Sequence, residues 1–210
     1  MAVSKEAKIW IGIIVLVIVV MGGIFALGNR SSKQPATNSQ NVVRSDSHKL
    51  GSGKVTVVEF GDYQCPACGA AYPITKQMLS NYGDKITFVF RNYPLPQHAN
   101  APEAAQAAEA AASQGKFWEM HDILYATQND WANLSDPTSN FVGYAQQLGL
   151  NIDTFKQAVQ AKQYASVIST DKSDGDTLGI SGTPTFYVNG VAQPDFSYNT
   201  LKGAIEAALK

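Results

Sequence analysis

The chain has 210 residues, a formal net charge of -1, two cysteines and three histidines. Near-neutral charge argues against nucleic acid as a partner, because phosphate binding relies on clustered Lys and Arg. Two cysteines and the separated His48, His98 and His121 barely supply a four-ligand zinc site, so no metal is expected.

From Ile9 to Leu27 the chain is uncharged and almost wholly apolar, broken only by Gly12, Gly22 and Gly23. A bilayer is crossed by about 20 such residues, so residues 1–30 read as an uncleaved anchor with a transmembrane helix at about 9–27. The competing reading is a cleaved secretory signal. Its apolar stretch normally runs about 7–15 residues and ends at a small-x-small site, and Ala26-Leu27-Gly28 is a poor one. Lys5 and Lys8 before the span nearly balance Arg30 and Lys33 after it, so the positive-inside rule hardly orients it. The short amino-terminal tail makes amino-terminus-in the easier insertion. Both readings export the rest of the chain.

Residues 31–53 are rich in Ser, Gln, Asn, Thr, Gly and Lys, the composition of a flexible polar linker. Such a tether averages roughly 25 Å as a coil and extends to about 75 Å. Residues 54–210 then suit one domain. Lys54 to Phe60 reads as a buried strand through Val55, Val57, Val58 and Phe60, punctuated by Gly61 and Asp62. Ala70 to Tyr82 has a helical pattern stopped by Gly83, and Ile86 to Arg91 reads as a second strand, completing a βαβ unit.

Helical signals fill about 98–179. Pro102 and Glu103 suit a first turn, and the Ala-rich run to Ser113 reflects helix propensity rather than a site. Phe117, Trp118, His121, Leu124 and Tyr125 form one apolar face. Helices are also expected from Asp136-Pro137 to Leu148, from Asn151 to Val159, and from about Tyr164 to Leu178. Strand character returns at Thr185 to Val188, turns at Asn189-Gly190, a strong hairpin signal, and resumes at Val191. Asn199 to Leu209 closes the chain as a helix.

Both cysteines lie in Cys65-Pro66-Ala67-Cys68, between a buried strand and a helix. There Cys65 meets the unpaired N–H groups and positive end of a helix, which favour a thiolate. Pro66 fits the first helical position, where a missing N–H costs little. A purely structural disulfide is the alternative. Closing a four-residue loop gains only about 2 kcal/mol, against about 3 for fifteen residues, which favours the redox reading. Asp62 reads as a turn residue, His98 as a loop residue and His121 as a helix-face residue.

The stretch Val57-Val58-Glu59-Phe60-Gly61-Asp62-Tyr63-Gln64-Cys65-Pro66-Ala67-Cys68 resembles the active-site segment of DsbA-like thiol oxidoreductases, and Gly182-Thr183-Pro184-Thr185-Phe186 resembles their cis-proline loop. Coverage runs from about Val55 to the carboxyl terminus. The resemblance implies an α/β, thioredoxin-like fold, ordered βαβ then ββα, with an inserted helical subdomain. It implies catalytic roles for Cys65 as attacking sulfur, Cys68 as resolving sulfur and Glu59 as a buried acid handling the Cys68 proton. Thr183 and Pro184, with Pro66 and Ala67, would form the substrate-binding rim. The redox-active disulfide itself would serve in place of a cofactor.

The implied activity is that of an extracytoplasmic disulfide oxidase, monomeric and held at the cell membrane by its single anchor. It would act on reduced or unfolded exported proteins and be reoxidised by a quinone-linked membrane partner of the DsbB or VKOR-like kind. Ala67 offers no imidazole, so Cys65 is expected to be acidic but less so than in relatives with His there. A membrane-tethered reductase or isomerase is the alternative within the same chemistry, although the linker is too short and polar for the dimerisation domain of the related isomerases. A non-catalytic chaperone-like binding module is the alternative outside it.

Overall fold

β2 (Val55–Gly61) is the spine of a five-stranded sheet ordered β1-β3-β2-β4-β5 in the computed structural model, which describes residues 42–210. The expected membrane anchor and the linker before residue 42 lie outside the described residues. Among the described residues, no helix is long and apolar enough to cross a membrane.

The other strands are β1 (His48–Leu50), β3 (Ile86–Asn92), β4 (Thr185–Val188) and β5 (Val191–Ala192). β2 runs parallel to β3 and antiparallel to β4, and β1 joins the far side of β3 antiparallel. Alternation along β2 sends Val55 and Val57 to one face and Val58 and Phe60 to the other. On the first face these valines meet Phe88, Met78 and Ala71 of α1 (Pro66–Tyr82), and Leu201 and Ile205 of α8 (Tyr198–Leu209). On the second, Val58 and Phe60 pack with Val89, Tyr187, Tyr93 and Val42. Asn189 and Gly190 turn the β4–β5 hairpin with φ of 46° and 80°, the left-handed pair that two-residue hairpins demand.

The helical block forms α2 (Ala101–Ala112), α3 (Phe117–Ala126), α4 (Gln128–Trp131), α5 (Thr138–Gln147), α6 (Ile152–Gln160) and α7 (Ala165–Thr177). The alanines of α2 have more than helix propensity to explain them. Ala104, Ala107, Ala108, Ala110 and Ala111 are fully buried, and α3, α5, α6 and α7 all pack around this helix. Small side chains there leave room for Phe117, Met120, Leu124, Trp131, Phe141 and Phe155.

Residues 42–53 depart from the linker expectation. Val42 is buried, the Arg44 guanidinium donates to Asp174, and β1 pairs His48 with Phe90 and Leu50 with Phe88. A three-residue edge strand held by backbone hydrogen bonds and an ion pair needs no apolar run, so its composition still looks like a tether. Deeper in, fully buried Arg91 of β3 donates through Nε to Asp171 and through Nη2 to Asp174, tying α7 to the sheet.

Candidate active site

β2 delivers the chain to a tight turn at its carboxyl end, where the Cys65 N–H donates to the Asp62 carbonyl at 3.1 Å. Asp62 is buried and organises that turn. Its carboxylate accepts from the Gln64 N–H at 2.7 Å and the Leu95 N–H at 2.8 Å, and pairs with His98 Nδ1 at 2.7 Å. α1 begins at once with Pro66 in its first turn and Cys65 as the preceding, extended residue at φ −68°, ψ 123°. Among the described residues no side chain caps this helix, so its first N–H groups are open to the Cys65 sulfur.

Both cysteines are free thiols. Cys65 is 7% exposed and Cys68 is fully buried. A hydrogen bond from the Cys68 thiol brings Cys65 down to about 5, helped by Thr183 and the Cys68 and Ala67 N–H groups and opposed by burial. The Asp62 N–H reaches Cys68 Sγ at 3.5 Å. Burial pushes Cys68 well above the usual thiol range, and its bond to Cys65 and the charge of Glu59 add to that. One helical turn therefore holds two sulfurs of opposite tendency.

The Thr183–Pro184 peptide is cis, as the resemblance implies. The Cys65 thiol donates to the Thr183 carbonyl at 3.4 Å. Thr183 and Pro184 are half-buried, Ala67 is half-buried and Pro66 is exposed. Glu59 projects from β2 toward α1, where Thr75 Oγ1 donates to its Oε2 at 3.5 Å. It is 2% exposed, and burial pushes it up to about 8 against the opposing hydrogen bond.

Cys65, Cys68 and Thr183 thus meet where β2 gives way to α1, and Glu59 lies deeper, against Thr75. The histidines do not converge. His48 pairs with Glu109, His98 with Asp62 and His121 with Asp122, and no group of three potential metal ligands occurs among the described residues. His121 is a buried helix-face residue that burial drives toward the neutral form. Its ring lies 5.7 Å from that of Tyr63, 5.1 Å from Tyr125 and 4.9 Å from Phe90. Sequence reasoning missed the amides of Gln64 and Gln128, which tie the active-site turn to the helical insertion. They touch backbone carbonyls and an N–H, and no sequence pattern marks such contacts.

A strand, a helix-starting cysteine pair and an opposed cis-proline, joined through a helical insertion, define a thioredoxin-like protein. Residues 48–207 match the family model described as Thioredoxin, and the chain belongs to that family. It is similar to BdbD from Bacillus subtilis, in its oxidised crystal form, at 28% identity and a TM-score of 0.71, covering 78% of this chain and 92% of that one. A thioredoxin-like oxidoreductase from Silicibacter pomeroyi gives 28% identity and 0.67, covering 81% and 97%. α-DsbA1 from Wolbachia pipientis, at 21% identity and 0.72 over 82% and 96%, shares the fold. Among curated sequences the chain is 41% identical over 158 residues to Na(+)/H(+) antiporter NhaA 1 of Salinispora arenicola. It is 42% identical over 137 residues to NhaA 3 of Salinispora tropica. It spans only 23% and 20% of those two relatives, and 74% and 65% of this chain is matched.

Proposed function

We propose that this chain is a DsbA-like thiol-disulfide oxidoreductase that works outside the cytoplasm, tethered through residues 1–30, and introduces disulfides into exported proteins. One observation carries the reading: Cys65 sits at an uncapped helix start beside the Thr183 carbonyl, with fully buried Cys68 one turn behind it. The 28%-identical solved structures titled BdbD and thioredoxin-like oxidoreductase support it.

In the oxidised enzyme a substrate thiolate attacks Cys65 Sγ, and the Cys65–Cys68 bond breaks. Cys68 leaves with the electron pair and takes a proton, for which Glu59, neutral below about pH 8, is the donor. The second substrate thiol, deprotonated, attacks the substrate sulfur of the mixed disulfide, forming the substrate disulfide and releasing Cys65 as a thiolate. Two electrons pass to the enzyme. Because a thiolate held at about 5 is stabilised when Cys65 is reduced, the equilibrium favours an oxidant.

Thr183 and Pro184 receive an extended substrate segment alongside Cys65, with Pro66 and Ala67 forming the opposite rim. No cofactor beyond the cysteine pair takes part in this scheme. A quinone-linked membrane oxidase of the DsbB or VKOR-like kind removes the electrons. The test is dithiol-peptide oxidation and insulin reduction by the full chain and by Cys65→Ser, with the couple equilibrated against glutathione. Oxidation lost in the variant supports the proposal. A potential near the roughly −270 mV of thioredoxin turns the reading to a reductase, and unchanged function in Cys65→Ser turns it to a binding module.

A further inference from the structure

Gln128 is the first residue of α4, within the helical insertion, yet its side chain reaches the turn that carries Cys65. Its Nε2 donates to the Tyr63 carbonyl at 2.7 Å and to the Cys65 carbonyl at 2.9 Å. Both hydrogens of one amide are therefore spent on the two carbonyls that flank Gln64. The amide is also pinned from behind: a Cβ on Gly69 would meet Gln128 Oε1 at 2.5 Å. The insertion grips the same turn again through Gln64, whose Nε2 donates to the Ala132 carbonyl at 2.6 Å and whose Oε1 accepts from the Asn100 N–H at 2.6 Å. Asn100 in turn donates through Nδ2 to the Leu134 carbonyl at 2.8 Å.

Those carbonyls matter to the sulfur. An oxygen lone pair left open beside a thiolate opposes its charge, whereas a carbonyl engaged by an N–H does so less. The Cys65 carbonyl already accepts from Gly69 at 3.1 Å, and Gln128 supplies its second donor. Fixing residues 63 and 65 also fixes the direction in which the Ala67 and Cys68 N–H groups face Sγ. The bland alternative is an amide that merely satisfies two loop carbonyls, as most buried carbonyls are satisfied.

We propose that Gln128 is a positioning residue for the Cys65 thiolate, so that the inserted subdomain sets the reactivity of the thioredoxin-like site through this amide. The proposal rests on the oxidoreductase reading above. Two variants of the full chain test it from opposite sides. Gln128→Leu removes both donors at similar size. Gly69→Ala keeps every wild-type hydrogen-bonding group, improves helix propensity, and displaces the amide by crowding Oε1.

For each, the ultraviolet thiolate titration of Cys65, the glutathione equilibrium, and the Tm of the reduced and oxidised forms are measured. Both variants should move the thiolate midpoint upward by about one unit, a roughly tenfold loss of thiolate on the low-pH limb. They should make the couple less oxidising and lower the Tm of the reduced form more than that of the oxidised form. Equal losses of Tm in both redox forms, with the midpoint and equilibrium unchanged, would overturn the proposal. If Gln128→Leu does not fold, Gly69→Ala decides alone. An ordinary thiol midpoint near 9.0 in the wild type would remove the oxidoreductase reading and this inference with it, whereas a depressed wild-type midpoint shared by both variants removes this inference alone.

Discussion

The Cys65 thiol donates to the Thr183 carbonyl across 3.4 Å, although the two residues stand 118 positions apart in the chain. That contact closes the site, because it brings the turn after β2 and the cis-proline loop before β4 together at one sulfur. The same threonine also bears on ionisation through its hydroxyl, which helps to lower Cys65 and whose buried Oγ1 has no hydrogen-bond partner among the described residues while Cys65 is a thiol. Thr183→Val, nearly isosteric, should raise the Cys65 midpoint by a fraction of a unit to about one unit, as befits loss of one donor to a charged acceptor. Iodoacetamide rate profiles of the two proteins check this, and an unchanged midpoint would assign the lowering to the helix and Cys68 alone.

Alkylation of the reduced wild-type protein should go almost entirely to Cys65, with a rate profile that levels off above a midpoint of about 5. Cys68, fully buried and shifted upward, should stay unmodified until the protein unfolds. Peptide mass mapping after a brief pulse at neutral pH distinguishes the two sulfurs. Equal labelling would mean that the pair is not polarised as the geometry requires.

The depressed Cys65 value makes fold stability depend on both redox state and pH. Unfolding returns the thiol from about 5 to its ordinary 9.0. At this sulfur the unfolded chain therefore binds more protons between those values, and Cys65 adds stability to the reduced fold as pH rises through the window. The disulfide form has no such titration. The difference Tm(reduced) minus Tm(oxidised) should therefore widen from pH 5 toward pH 9 and shrink again as pH falls toward 5. Calorimetry of both forms across that range measures it, and a flat difference would contradict a thiolate in the folded state.

Much of this site was legible from local sequence because its parts are local: a strand, a turn, a cysteine pair starting a helix, and the Gly182 to Phe186 loop. What stayed hidden depends on distant backbone. β1 exists because residues 48–50 find the open edge of β3, and α4 is a single short turn whose value lies in placing Gln128. The alanines of α2 announced a helix, but not that this helix is the buried axis of the insertion. Arg91 looked like the polar end of a strand. Its burial becomes intelligible only once α7 brings Asp171 and Asp174 across from 80 and 83 positions away.

That buried pairing predicts a strong structural phenotype away from the sulfurs. Arg91→Met fills a similar volume but leaves Asp171 buried without its main counter-charge, while Asp174 keeps Arg44. Removing one partner of a buried ion pair typically costs about 3–5 kcal/mol. Urea unfolding should show a loss of that order, with the Cys65 midpoint little changed in the protein that remains folded. A loss below about 1 kcal/mol would mean that the pair contributes specificity rather than stability.

Glu59 supplies the last and sharpest contrast between stability and function. Its carboxyl rises from an ordinary 4.5 to about 8 because β2 buries it. At this carboxyl the folded chain then binds more protons than the unfolded one between those values, so the Glu59 contribution to stability falls as pH rises, opposite in sign to that of reduced Cys65. Glu59→Gln removes that titration. It should stabilise the fold by about 3 kcal/mol at pH 7, with the advantage vanishing below about pH 4, where the acid is neutral in both states. The same substitution deprives departing Cys68 of the proposed proton donor, so formation of the mixed disulfide with a substrate dithiol should slow by about tenfold or more. A more stable but slower enzyme is the expected result, read from Tm against pH and from stopped-flow oxidation of a dithiol peptide. Unaltered oxidation kinetics in a stabilised protein would remove Glu59 from the proton path and leave it a buried strand residue.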